Sequence, residues 1–377
     1  LYVENGTTTI YDGILKGQTG GYSGTITTMP DGYTLKEGTE DIDGVIYKTN
    51  YLGENTAFLQ VGDKKFNTIN KAIAEAKTTG NEIVLISDAT TSSQGTIDEN
   101  INITIDLNGH TLSMSQPLSS AGNLTLKDSG EEKSGKLVNS STTNNSYVIE
   151  STGTLNIGDV NISGYNGIKA GGVTTIDGTK IELTNSGVGV YGISSTTDIT
   201  IENISIVGTS GTGIRMDAGN IVINDANVET GSYSIYMYNS NATGTINDGT
   251  YTSSSYVISS FSKNLEINGG TYQSTKYYGI YISSGTTTIN NGHIEGTIGI
   301  YADGRNSTLN LNKSTVIGTT GVALNLHENY VTANIKDSTI RSEKSDGIYT
   351  WSNVNVTMDN SMVDGKTNGM ELYGGTI

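Results

Sequence analysis

The feature that most constrains this chain is a repeat. Between residues 220 and 329 the sequence falls into lines of about 22 residues. Each line carries an aliphatic anchor: Ile223, Ile246, Ile267, Ile289 and Leu311, at intervals of 23, 21, 22 and 22 residues. Five residues after each comes a second anchor, Val228, Tyr251, Tyr272, Ile294 and Val316. A third follows six to nine residues later: Ile235, Val257, Ile280, Ile300 and Val322. Three short strands per line, with turns between them, predict one coil of a parallel β-helix per line.

A coil of this length cannot bury its own anchors. Laid about 4.8 Å above the previous coil, it hydrogen-bonds along its whole edge and sets like side chain over like. The pattern therefore predicts ladders. Asn224, Asn247, Asn268, Asn290 and Asn312 each directly follow a first anchor. A stacked amide donates to one neighbour and accepts from the other, so this row is read as structural. Glycines just beyond it (Gly249, Gly269, Gly270 and Gly292) are expected to supply positive φ at the turn.

Composition agrees with a solenoid. The chain has 377 residues with 49 Gly, 2 Pro, no Cys and only 34% hydrophobic residues. That is thin for a broad globular core but enough for the narrow core of stacked coils. A formal charge of −17 argues against nucleic acid or anionic lipid as a partner, because no basic stripe is present to neutralise phosphates. No apolar run approaches 18 residues, so no membrane-inserted helix is expected.

In chain order, residues 1–27 read as the last coils of a preceding β-helix unit and 28–56 as an extended β connector around an Asp-Gly turn. Residues 57–90 read as a strand–helix–strand cap. Asn67 or Thr68 serves as N-cap, Ile69, Ala72, Ile73 and Ala76 share one helical face, and Gly80 ends the helix. Residues 91–377 read as the parallel β-helix itself, interrupted at 128–145, where Glu131, Glu132 and Lys133 predict a projecting, solvated hairpin. The two ends of the chain align with each other, and the first residue is Leu1. Both predict one unit of a longer polypeptide that repeats about every 370 residues.

The segments FNTINKAIAEA at 66–76, EIVLI at 82–86 and INITIDLNGHTL at 101–112 carry a resemblance. They resemble the opening of right-handed parallel β-helices of the pectin-lyase-like superfamily, in particular those of large bacterial surface proteins. The resemblance covers residues 58–377 and implies an all-β, right-handed parallel β-helix with a short α-helical start cap. It is weak for activity, because that fold hosts lyases, hydrolases, adhesins and phage tailspikes.

Enzymes of this superfamily need clustered carboxylates with Arg or Lys to steady a developing anion. Here Asp177, Asp225, Asp248, Asp337 and Asp359 recur at the polar turn, where Asn replaces them freely, which is a turn preference. The best local cluster is His293, Glu295, Asp303, Arg305, His327 and Glu328, but the paired-Asp, Gly-His-Gly and Arg-Ile-Lys signatures of the hydrolases and the Arg-rich motif of the lyases are missing. His110 is read as a turn residue. No catalytic residue, cofactor or metal site is expected.

The stronger pattern is aromatic. The residue after each third anchor points outward, because side chains alternate along a strand. That row contains Lys169, Tyr191, Arg215, Tyr236, Tyr281, Tyr301 and Tyr349, with Tyr238, Tyr256, Tyr277 and Tyr278 nearby. Two readings stand side by side. Tyrosine is a good strand former whose rings stack from coil to coil, the favoured reading. Alternatively the row is an exposed platform for sugar rings or a protein partner. The whole predicts a structural or adhesive repeat, part of a stiff extracellular stalk or fibre at a bacterial cell surface or wall. Its units join end to end with copies of themselves, and its Tyr-rich face meets a surface glycan or a host protein. A polysaccharide lyase or hydrolase, or a tailspike-like depolymerase, is the alternative.

Overall fold

The computed structural model describes residues 13–22, 33–54, 56–328, 330–351, 353–374 and 376. Most of the stretch read as preceding coils lies outside these. Its one described strand, Ile14–Gly17, pairs antiparallel with Val45–Glu54. Val45–Glu54 in turn forms a long hairpin with Tyr33–Ile42. The hairpin turns at Asp43 and Gly44, whose φ values of 53° and 81° are the pair a two-residue turn of the right twist requires. The Asp41 carboxylate accepts from Gly44 N at 2.8 Å and holds the turn.

The short helix forms as its periodicity predicts. The helix Ile69–Thr79 is N-capped by Thr68, whose side chain accepts from Lys71 N, and ends at Gly80 with φ 73°. Ile69, Ala72, Ile73 and Ala76 are its buried residues and close the end of the core. Beside it Leu59–Val61 pairs antiparallel with both Lys64–Phe66 and Ile83–Leu85. Ile83–Leu85 then pairs in parallel with Asn102–Asp106, which makes it the first strand of the first coil as well as the last of the cap.

From there the chain is a β-solenoid. One sheet has 15 strands, of which the cap hairpin supplies two, and the other two sheets have 13 each, giving 13 coils over the described residues. One coil illustrates the plan: Gly219–Ile223 lies in the first sheet, Ala226–Thr230 in the second and Tyr233–Met237 in the third. Every strand pairs in parallel with its counterpart one coil away. Alternation sends Ile221, Ile223, Val228, Ile235 and Met237 into a single continuous core.

The ladders stand as expected. Asn247 donates to Asn224, Asn268 to Asn247, Asn290 to Asn268 and Asn312 to Asn290, at 2.7–3.0 Å. Asn224 donates onward to Glu202. The second anchors stack too: the Tyr251 and Tyr272 rings lie 5.0 Å apart and 1° from parallel, fully buried. Their hydroxyls donate to the carbonyls of Asp248 and Gly269, which satisfies the one polar atom each takes into the core.

Three details depart from expectation. The third row runs Ile235, Ile258, Ile280, Ile300 and Leu324, so Val257 and Val322 are not its members. Of the four glycines, Gly249 and Gly270 take positive φ, while in the Asn290 coil that conformation falls on Asn291. At 128–145 no hairpin projects. Two loops flank the strand Lys136–Asn139, an ordinary second-sheet strand. Asp128 is buried there, and its carboxylate accepts from the backbone N of Gly109, Gly130 and Gly135, which draws the loop inward.

Candidate ligand-binding face

The outward row of the third sheet is set by register. Glu150 lies beside Lys169, Lys169 beside Tyr191, Tyr191 beside Arg215 and Arg215 beside Tyr236. Ser259 then intervenes before Tyr281, and Asn325 between Tyr301 and Tyr349. Tyr191, Arg215, Tyr236, Tyr281, Tyr301 and Tyr349 thus share one face, half-buried.

Two flanking rows were read from the sequence only in part, as the neighbours Tyr238, Tyr256 and Tyr278. Alternation continues past the strand end, so the residue two further on also faces out: Asp217, Tyr238, Phe261, Asp303, His327, Trp351 and Tyr373. Each of these donates its backbone N to the coil below, which holds the extension in line. On the other side Tyr233 and Tyr256 are paired in register, with Tyr278 over Tyr256. Spacing of i and i+2 was the available signal.

Rings therefore meet along the axis. Tyr236 contacts Phe261 at 6.2 Å, Phe261 contacts Tyr281 at 5.9 Å, and Tyr281 contacts Tyr301 at 6.0 Å. The series goes on through His327, Trp351 and Tyr373 at 5.7–5.8 Å. These are the separations of offset-stacked and tilted rings, which bind the coils to one another and still leave hydroxyls and ring edges at the surface. Tyr238, Trp351 and Tyr373 are 46%, 47% and 65% exposed, which makes them the parts of the strip most open to a partner.

Among its carboxylates, Asp217 and Asp303 each accept a tyrosine hydroxyl. Asp217 takes Arg215 Nε at 2.7 Å and Nη2 at 3.1 Å, a bidentate pair, and accepts the Tyr191 hydroxyl at 2.6 Å. The Arg215 guanidinium lies 4.5–5.8 Å from the rings of Tyr191, Tyr236 and Tyr238. Asp303 accepts the Tyr281 hydroxyl at 3.0 Å through one oxygen, while its other oxygen is buried without a partner, as is Asn325 Oδ1. Burial holds the Asp303 carboxyl above the usual carboxylate range. It also pushes the hydroxyls of Tyr191, Tyr281 and Tyr301 up to about 12.

The acidic cluster read from the sequence is not one site. His293 and Glu295 belong to the second-sheet strand His293–Gly296, whereas Asp303 and His327 lie on the third-sheet face. Arg305 is exposed, with its guanidinium 5.9 Å from the Tyr330 ring. Among the described residues no group of three or more His, Cys, Asp or Glu is placed to hold a metal, and no helix is long and apolar enough to cross a membrane.

Neither any family model nor any curated protein matches the chain. Among solved structures it is similar to the A-module of the mannuronan C-5 epimerase AlgE6 of Azotobacter vinelandii, with a TM-score of 0.35 and 12% identity over 82% of this chain and 94% of that one. The strand pairing given above defines the solenoid without that likeness.

Chemically, the strip offers flat apolar edges, phenol hydroxyls and carboxylates, among them Asp303 and Glu371, that no Lys or Arg of the described residues pairs. That set suits adhesion to a polar, ring- or side-chain-bearing surface.

Proposed function

We propose that this chain is a stiff, non-catalytic extracellular rod, one unit of a bacterial surface stalk or fibre, whose third-sheet strip adheres to a partner. The observation that carries the reading is the continuity of that strip, from the Lys169 ammonium 5.6 Å over the Tyr147 ring to Tyr373 in the last coil. Core stability alone does not call for partly open tyrosines on one sheet, since buried aliphatic rows already tie the coils together. Thirteen coils at about 4.8 Å each make a rod of ~60 Å, long enough to space a contact face from a cell wall.

The test is capture of glycan and protein panels, and of host surfaces, by the native chain and by a Tyr236→Ala/Trp351→Ala double variant. The variant should lose capture about tenfold while keeping its far-ultraviolet spectrum, since interface aromatics carry a disproportionate share of binding. Undiminished capture would refute the assignment of the face.

A second reading, a glycan depolymerase, draws on one observation: the half-buried Asp303 beside Tyr281, with one oxygen unpaired. Release of new reducing ends from acidic or neutral polysaccharides, abolished by Asp303→Asn, would establish it in place of the rod.

A further inference from the structure

The third-sheet face contains the same arrangement twice, once complete and once lacking a part. In the complete copy, the Tyr191 hydroxyl donates to Asp217 from the coil below. Arg215, two residues before that carboxylate, fills the space between them and neighbouring rings. In the second copy, the Tyr281 hydroxyl donates to Asp303 from the coil below, at 3.0 Å against 2.6 Å in the first. The register is equivalent as well: Tyr191 lies beside Arg215, and Tyr281 beside Tyr301. Tyr301 therefore stands where Arg215 does, Asn325 where Tyr236 does, and His327 where Tyr238 does.

The consequence is a charge left over. Among the described residues no ion pair involves Asp303. Arg305, the nearest guanidinium in sequence, is engaged over Tyr330. Two acceptor oxygens, one on Asp303 and one on Asn325 in the next coil, have no donor, although buried acceptors are ordinarily satisfied. Tyr301 and His327 are stacked 5.8 Å apart beside them and supply the π-faces that a planar cation prefers.

We propose that Asp303, Tyr281, Tyr301, Asn325 and His327 form a receptor for a guanidinium group, an arginine side chain of a partner protein, which pairs with Asp303 as Arg215 pairs with Asp217. The chain's own solution to this geometry is a guanidinium, which is why arginine is the assigned occupant. A net charge of −17 favours an approaching basic segment from any direction. Entry turns the Asp303 carboxylate about χ2, a broad two-fold torsion, so that its inward oxygen meets the incoming N–H. This inference rests on the adhesive reading of the face and names what that face grips.

The experiment titrates the whole chain with an arginine-rich peptide, its lysine-substituted counterpart and a chitosan oligomer. The arginine peptide should bind best, and Asp303→Asn should weaken it about tenfold or more. Glu229→Gln, which removes an exposed charge on the second sheet, should leave it within about twofold. Tyr301→Arg should fill the box and abolish peptide binding. Equal losses for Asp303→Asn and Glu229→Gln would show diffuse attraction to an acidic rod and overturn the receptor. No binding, or chitosan rather than peptide depending on Asp303, overturns it too. If Tyr236→Ala/Trp351→Ala loses partner capture while Asp303→Asn binds peptide normally, the receptor fails and the rod stands. If Asp303→Asn alone matters, the rod's strip fails and the receptor stands.

Discussion

At the scale of single residues, this solenoid is sensitive to what each row position asks for. Thr287 occupies a core row between Leu265 and Leu309, has no exposed surface, and its hydroxyl has no partner. Thr287→Val keeps the branched shape and removes the unsatisfied oxygen. It should stabilise the fold by about 1 kcal/mol, read as a higher urea midpoint at unchanged slope. A lower midpoint would mean that the hydroxyl has a partner in solution. Asn268 behaves in the opposite way. Its amide donates to Asn247 and accepts from Asn290, so Asn268→Ala breaks two bonds and strands a group on each side. A loss of about 2 kcal/mol is expected, and roughly half that for Asn312→Ala, whose side chain is bonded only to Asn290 within the ladder. Equal losses at both positions would show that the ladder bonds do not act in series. The ladder was legible from sequence because a side chain that bonds its own copy must recur at the coil period. Asp128 was not, because its carboxylate binds three backbone N–H groups whose approach no local spacing encodes.

At the scale of elements, the third sheet differs from the other two in carrying its titratable rings outside. Burial raises Tyr147, Tyr191, Tyr281 and Tyr301 each to about 12. An unfolded tyrosine releases its proton near 10. Between those values the folded chain therefore binds more protons than the unfolded one, and stability falls as pH rises through that window. The melting temperature should hold steady up to about pH 10 and decline above it, while tyrosinate absorbance goes on developing above pH 10, from these rings and from Tyr251 and Tyr272 of the second sheet, which burial raises as well. A single stage near pH 10 with an unchanged melting temperature would contradict the burial of these rings. The same sheet shows where sequence reading lost its register. Val257 and Ile258 are adjacent apolar residues, as are Val322, Ala323 and Leu324, and turns of varying length leave nothing local to choose between them. Pairing with Ile280 and Ile300 selects Ile258 and Leu324. The row of outward residues was found because it touches a strand anchor. The Asp217-to-Tyr373 row, Tyr238 apart, was missed because it lies beyond the strand ends and is kept in line by hydrogen bonds to the coil below.

At the scale of the whole molecule, each coil contacts the one before and the one after, so stability should be a sum of coils and their interfaces rather than a property of one closed core. That has a testable form. Asn247 and Asn268 hold equivalent places 21 residues apart, so removing residues 247–267 joins Ile246 to Asn268 and deletes one coil in register. In the shortened chain Asn268 would stack on Asn224, and Tyr236 would become the direct neighbour of Tyr281, closing the gap that Ser259 makes in the aromatic row. Tyr272 would lose the ring of Tyr251 and stack on Val228 instead, a cost of about 1 kcal/mol from the lost aromatic pair. The shortened protein should fold, melt cooperatively and measure about 5 Å less along its axis by small-angle scattering. The expectation is asymmetric along the chain. An equivalent cut through the cap, where the helix Ile69–Thr79 closes the end of the core, would uncover the aliphatic rows of the first coil and lead to aggregation. If a deletion of 20 or 22 residues were tolerated as well as one of 21, like residues need not meet like. If the deletion of 21 unfolded the chain, the coils would be cooperating over distances that nearest-neighbour stacking does not provide.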